Sequence, residues 1–213
     1  KAPAPLFATT PYLQTMSSTN VTIAWRTSRD AYSWVNYREA GSTNDFRTAV
    51  ASTYGLKNVG LSHAITLNDL KPDTTYIYEI NSREVTEIQP YKFSFGEDDS
   101  LKKMGDKELC FTTWPLHGDT FSFVMLNDLH DNKNLHRQLL KATGADSANF
   151  ICYNGDIITD KGRAEDVITY FLSDTLDYAW NKPFFMLRGN HETRGNFSRS
   201  LKTFFPTTDD QYY

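Results

Sequence analysis

The chain has 213 residues, with a hydrophobic share of 39%, an aromatic share of 14% and a formal charge of -4. That length suits one large domain or two modest ones, two being the expectation, and a core rich in Phe, Tyr and Trp excludes disorder on a large scale. The small charge and the lack of a dense Lys/Arg stretch remove nucleic acid as a default partner, and no apolar run approaches the roughly 20 residues that a membrane-spanning helix needs.

The first half reads as short strands of period two, rich in β-branched and aromatic residues, at 21–27, 34–38, 63–67 and 76–80, with turn residues between them. This is the pattern of a half-buried antiparallel sheet system. Leu70-Lys71-Pro72-Asp73-Thr74-Thr75-Tyr76 resembles the L-x-P-x-T-x-Y signature of fibronectin type III sandwiches. The resemblance implies that the Tyr76 hydroxyl ties back to the loop before it and that Trp25 is the core tryptophan of an early strand. Residues 94–106, rich in Gly, Asp and Lys, read as a loop before a last strand at 109–113, and residues 1–115 form the expected all-β sandwich domain. A sandwich of this kind, on a chain opening with Lys1, predicts a leader removed or omitted and a secreted or periplasmic address.

Trp114-Pro115-Leu116-His117-Gly118-Asp119 is a turn-rich joint, after which the pattern changes. An apolar strand at 121–126 is followed by a helix at 134–141 carrying Leu135 and Leu139. A second strand at 150–153 leads to an amphipathic stretch at 164–180 with Val167, Tyr170, Phe171 and Leu176 on one face, and a third strand lies at 183–187. Strand, helix, strand, helix, strand predicts parallel pairing, so residues 116–213 form a partial α/β domain. Cys110 and Cys152 fall on apolar strands of different domains, where a thiol behaves as a small hydrophobe, and no disulfide is expected.

Each of the three predicted parallel strands runs into a polar cluster: Asn127-Asp128-Leu129-His130, Asn154-Gly155-Asp156 and Arg188-Gly189-Asn190-His191-Glu192. The carboxyl ends of strands in an open α/β sheet line its binding crevice, so the clusters should converge. Carboxylate, amide and imidazole donors without thiolates suit Mn, Fe or Zn rather than a structural Cys-type zinc site. The glycines let the backbone pass close beside Asp156 and Asn190.

At these residues the sequence is identified with the calcineurin-like metallophosphoesterases: D-x-H, then G-D, then G-N-H-E is the first part of that signature. The resemblance implies a phosphoester hydrolase with two divalent or trivalent metal ions that generate a metal-bound hydroxide. Asp128, His130 and Asp156 would hold the first ion, Asp156 and Asn190 the second, and His191 would stabilise the phosphoryl group or protonate the leaving oxygen. Arg194 is a candidate for the substrate phosphate, with a solvated loop arginine as the alternative; Glu192 reads as a loop anchor. A sandwich before such a domain is similar to the purple acid phosphatases, with two departures. Those enzymes carry D-x-G in the first motif and a Tyr three residues after the second-motif Asp, where this sequence has His130 and Thr159, so the tyrosinate-to-iron colour should be absent and His130 takes the coordination place of that Tyr.

No His follows His191. The later His motifs of the family are therefore missing, the resemblance covers the first half of the catalytic domain, and weak metal retention and little turnover are expected of these 213 residues alone. Two rival readings stand beside the hydrolase: a scaffold whose sandwich binds a partner or glycan while the metal domain is degenerate, and a nuclease or nucleotide pyrophosphatase. His63, His117 and His136 read as ordinary surface or satisfied core groups.

Overall fold

A computed structural model describes residues 5–118, 120–159, 163–175 and 177–206. Asp119 of the predicted joint and Leu176 of the predicted helix face lie outside the described residues. The chain divides into two compact units, one made of Lys1–Pro11 and Met16–Leu116, the other of Tyr12–Thr15 and His117–Tyr213. The short strand β1 (Tyr12–Gln14) is therefore part of the second unit.

The first unit is built on two long strands. In β2 (Val21–Glu39) every residue from Val21 to Thr27 is buried, and from Ala31 to Tyr37 buried positions alternate with half-buried ones. The short strands β3 (Arg47–Val50), β4 (Ser52–Thr53) and β5 (Leu56–Lys57) precede β6 (Val59–Leu67), β7 (Thr75–Gln89) and β8 (Lys92–Leu101). The hairpin of β9 (Lys103–Met104) and β10 (Lys107–Glu108) then leads to β11 (Cys110–Thr112). All of the pairings are antiparallel. On one side β2 pairs with β6 from Val21 to Tyr32, with a register shift between Arg26 and Ala31, and then with β3 from Trp34 to Tyr37; it also pairs with β7 from Ala31, which faces Glu84, to Glu39. β7 likewise pairs with β11 at its start and with β8 from Ile80 onward. Strands that change partner part-way are how a β-sandwich turns its corners.

Its core is aromatic: Trp25, Tyr76, Tyr78 and Phe111 are all within 1% of full burial, and Tyr76 stacks on Phe111 at 5.5 Å between ring centroids. The Lys71 amide donates to the Tyr76 hydroxyl at 2.9 Å, so the expected tie between that tyrosine and its loop is present, and a buried phenol keeps a partner. Trp25 donates to Ser82 Oγ at 3.1 Å.

Two sequence expectations are corrected here. Residues 21–27 and 34–38 are one strand rather than two, because the polar residues between them find partners without leaving an extended path: Ser28 donates to the Pro5 carbonyl and Arg29 pairs with Glu84 at 2.8 Å. Residues 94–106 are not a loop but most of β8, the strand β9 and the turn that leads to β10. Their acidic character is matched across the strand pair, where Asp98 meets Arg83.

In the second unit β12 (Phe123–Leu126), β13 (Phe150–Asn154) and β14 (Phe184–Leu187) form a parallel sheet in that order, as strand–helix alternation predicts. Val124, Leu126, Ile151, Tyr153, Phe184 and Met186 point to its buried face. β1 belongs to this core: Tyr12 donates its hydroxyl to the Phe204 carbonyl at 2.7 Å, and Gln14 donates to the Phe184 carbonyl at 2.8 Å. Both thiols are free, Cys110 on β11 and Cys152 on β13.

The helix α1 (Lys133–Ala142) starts where the Asn132 side chain accepts the Leu135 amide, satisfying one of the unpaired N–H groups of a first turn. Its buried residue is His136; Leu135 is exposed and Leu139 only half-buried, so the expected leucine stripe is not what faces the core. The stretch at 164–180 is not one amphipathic helix either. α2 (Ala164–Val167) opens into a wider π turn (Ile168–Leu172) before α3 (Ser173–Thr175). The wider turn advances the phase, so that Phe171 and Leu172 both face inward while Tyr170 is exposed.

Candidate metal centre

The three polar clusters follow the carboxyl ends of β12, β13 and β14, and parallel register brings those ends to one edge of the sheet. Backbone hydrogen bonds join the first two loops directly. The amides of Asp128, His130 and Asp131 donate to the carbonyls of Gly155, Asp156 and Ile157 at 3.2, 3.1 and 3.0 Å. To make these contacts Asp128, His130, Asp131 and Asp156 all take positive φ, between 48° and 63°. That conformation is uncommon for non-glycine residues, Asp and His adopting it more readily than most, and it recurs at functional sites.

Glu192 organises the second and third loops. Its buried carboxylate accepts the amides of Asp156 and Gly189 on Oε2, at 2.9 and 2.8 Å, and those of Ile157 and Ile158 on Oε1, at 2.7 and 2.8 Å. Four N–H donors satisfy a carboxylate that would otherwise be costly to bury. It is thus the loop anchor anticipated from the sequence. The two loops pass so closely that a Cβ on Gly155 would lie 2.8 Å from Gly189, and one on Gly189 would lie 2.1 Å from Asp156 Oδ1. Glycine at both positions is a condition of the geometry.

Within this frame donor atoms of His130, Asp156 and His191 all lie within 4.8 Å of one another. The imidazoles of His130 and His191 meet edge to face at 4.6 Å. The Asp156 carboxylate is held from behind, since its Oδ1 accepts the His191 amide at 3.0 Å. With its Nδ2 turned to that carboxylate, Asn190 lies 3.2 and 2.9 Å from the two oxygens, and its Oδ1 accepts from Arg194 Nη2 at 2.7 Å. Asp128 sits at the rim: its side chain is 62% exposed, its Oδ1 is 3.8 Å from His130 Nε2, and Asn127 donates to its other oxygen. All six residues singled out in the sequence therefore fall around one point, with His130, Asp156 and His191 at its centre and Asp128 and Arg194 further out.

One carboxylate and two imidazoles aimed at a shared space, without a thiolate, are the donors of a Mn, Fe or Zn site. The glycine-lined cradle around Asp156 fits the same use. A second polar cluster, not anticipated from the sequence, lies behind this edge. His136 Nε2 lies 2.7 Å from the Tyr153 hydroxyl, which lies 2.6 Å from that of Tyr178, while Asp174 sits fully buried between Arg137 at 2.7 Å and Lys133 at 3.7 Å. The one signal for it was a histidine on a helix that must bury some face.

Residues 9–95 match the family described as purple acid phosphatase, N-terminal domain, and residues 121–212 match calcineurin-like phosphoesterase. The structure of purple acid phosphatase PPD1 from yellow lupin (Lupinus luteus) seeds is similar over 94% of this chain, with 15% identity and a TM-score of 0.64. A structure of PhoD is similar over 90% of it, with 12% identity and a TM-score of 0.49. The chain spans 41% of the length of either solved protein. No curated protein matches it.

Proposed function

From a chain that joins a purple acid phosphatase N-terminal domain to a calcineurin-like phosphoesterase domain, we propose a phosphoester hydrolase whose metal centre is dinuclear and is held by the loops after β12, β13 and β14. The observation that carries this reading is the meeting of His130, Asp156 and His191 donor atoms within 4.8 Å, with Asn190 on the Asp156 carboxylate. Asp128, His130 and Asp156 would hold one ion, and Asp156 and Asn190 the other. Bound ions of this kind supply Lewis acidity towards a phosphoryl oxygen and lower the pKa of water.

The chain's own groups divide the remaining work. Asp156 is oriented by the His191 amide and by Asn190, so its two oxygens are presented in fixed directions. The His191 imidazole, beside that carboxylate, is placed to stabilise the phosphoryl oxygens or to give a proton to the leaving oxygen. Arg194 reaches Asn190 and is placed to meet a substrate phosphate, a bidentate pairing that guanidinium geometry favours. Thr159 stands three residues after Asp156, in place of a tyrosine, so a colourless enzyme is expected. A secreted or periplasmic address belongs to the same reading and is checked by fractionating cells that produce the protein. Among the described residues no helix is long and apolar enough to cross a membrane.

Hydrolysis of an aryl phosphate monoester and diester by the full-length protein with added Mn2+ tests the proposal. Turnover that falls at least about 100-fold in both Asp156→Ala and His191→Ala supports it. Turnover indifferent to both substitutions, or none above a chelated control, overturns it.

A further inference from the structure

The first two ligand loops are attached to each other twice. Near the candidate centre, three backbone hydrogen bonds run from Asp128, His130 and Asp131 to the chain after β13. Behind it, α1, which starts directly after the first loop, is joined to β13, which delivers the second, by the 2.7 Å contact of His136 with Tyr153. Tyr153 is two residues before Gly155 and three before Asp156.

One placement of the hydrogens links the three side chains head to tail. Tyr178 donates to the Tyr153 oxygen and Tyr153 donates to His136 Nε2, so the ring proton sits on Nδ1, which faces Asp174 Oδ2 at 3.8 Å. Burial holds His136 neutral, with its pKa pushed down to about 4. Aromatic packing fixes the rings as well: His136 meets Tyr153 edge to face at 5.3 Å and stacks on Phe171 at 6.1 Å. The buried hydrogen bond between His136 and Tyr153, continued to the half-buried Tyr178, holds α1 to β13 more stiffly than apolar packing would, which is what a ligand-bearing strand end requires.

We propose that Tyr153 and His136 are positioning residues for the metal centre, fixing the separation of the loop that carries Asp128 and His130 from the loop that carries Asp156. The assignment rests on the reading of those loops as metal-binding. It differs from a purely structural role in one respect: loss of the tie lowers metal affinity by more than the accompanying loss of stability explains.

Calorimetric titration with Mn2+ alone, at a temperature where every variant is folded by circular dichroism, tests this. Tyr153→Phe removes the hydroxyl and keeps the ring; it is expected to bind Mn2+ about tenfold more weakly than the unaltered chain, and His136→Gln is expected to fall in the same direction. Tyr12→Phe is the control, since it deletes another buried hydroxyl of the same unit, the one bonded to the Phe204 carbonyl, and leaves α1 and β13 joined. It should lose comparable stability and bind Mn2+ as the unaltered chain does. Unchanged affinity in Tyr153→Phe, or an equal loss in Tyr12→Phe, overturns the proposal while leaving the metal reading in place. No Mn2+ binding by the unaltered chain overturns the metal reading and this proposal together.

Discussion

The Glu192 carboxylate ties the second and third loops of the candidate centre together. Its two oxygens accept four amides, three of them from consecutive residues 156–158, so the path of the second loop depends on one carboxylate. Glu192→Ala strands those four donors, and a cost on the order of 3 kcal/mol or more is expected in urea unfolding, together with loss of metal affinity. Glu192→Gln keeps the shape but replaces one acceptor oxygen by an NH2 group facing amide donors, and should fall between. Gly189→Ala is the sharper case, because its Cβ would stand 2.1 Å from the Asp156 oxygen. It should abolish metal binding in a chain that is still folded, which Mn2+ titration and circular dichroism of the variant check together. At this scale the sequence was informative, since every residue it nominated lies around one point. What it could not supply is rank. Asp128 reads as strongly as Asp156 in the motif, yet one is at the rim with an exposed side chain and the other is gripped by an amide and a glycine cradle.

At the scale of elements, α1 illustrates where periodicity stops being a guide. Leu135 and Leu139 mark a helix, but the position it buries is His136, whose cost is met by Tyr153 and by a face shared with Asp174. No pattern of apolar residues announces a buried histidine, because its partners come from β13 and the stretch after α2. The first unit holds a counterpart, His63, buried against Trp25 at 5.5 Å and 3.0 Å from Thr27 Oγ1. Burial pushes both imidazoles down to about 4, helped at His63 by the Arg26 charge. The unfolded chain takes up these protons near pH 6.5 and the folded chain only near pH 4. Their contribution is therefore complete above pH 6.5 and is lost as the pH falls from there to 4. Between pH 7.5 and pH 5 each should remove on the order of 2 kcal/mol of stability, and urea unfolding of His136→Gln should depend less steeply on pH than that of the unaltered chain. Long strands were hidden for a related reason. The polar run at 28–30 looks like a turn until Pro5 and Glu84 are known to meet it, and the acidic run of β8 looks like a loop until Arg83 faces Asp98. In the other direction, the L-x-P-x-T-x-Y motif named its own hydrogen bond. Tyr76→Phe removes the acceptor of the Lys71 amide and should cost about 1 to 2 kcal/mol in unfolding of the first unit, with no change in metal affinity.

Across the whole molecule, the change from period-two strands to strand–helix alternation marks two different architectures, and the two family matches fall on either side of it, at residues 9–95 and 121–212. The exception is β1, a three-residue strand early in the chain whose tyrosine and glutamine bond to Phe204 and Phe184 of the second unit's core. A contact across about 190 residues leaves no local trace in a sequence, which is why a boundary drawn near residue 115 assigns β1 to the first domain. The parallel sheet, by contrast, was readable because short apolar strands and helical stretches alternate, and that order alone directs three polar clusters to one edge. Everything proposed for this edge depends on metal binding through Asp156. The measurement that tests it most directly is metal content and Mn2+ affinity of the unaltered chain and of Asp156→Ala, both checked to be folded. Saturable binding that approaches about two ions per chain and is lost in the variant is the expected result; absence of binding, or the same binding in both proteins, would contradict it.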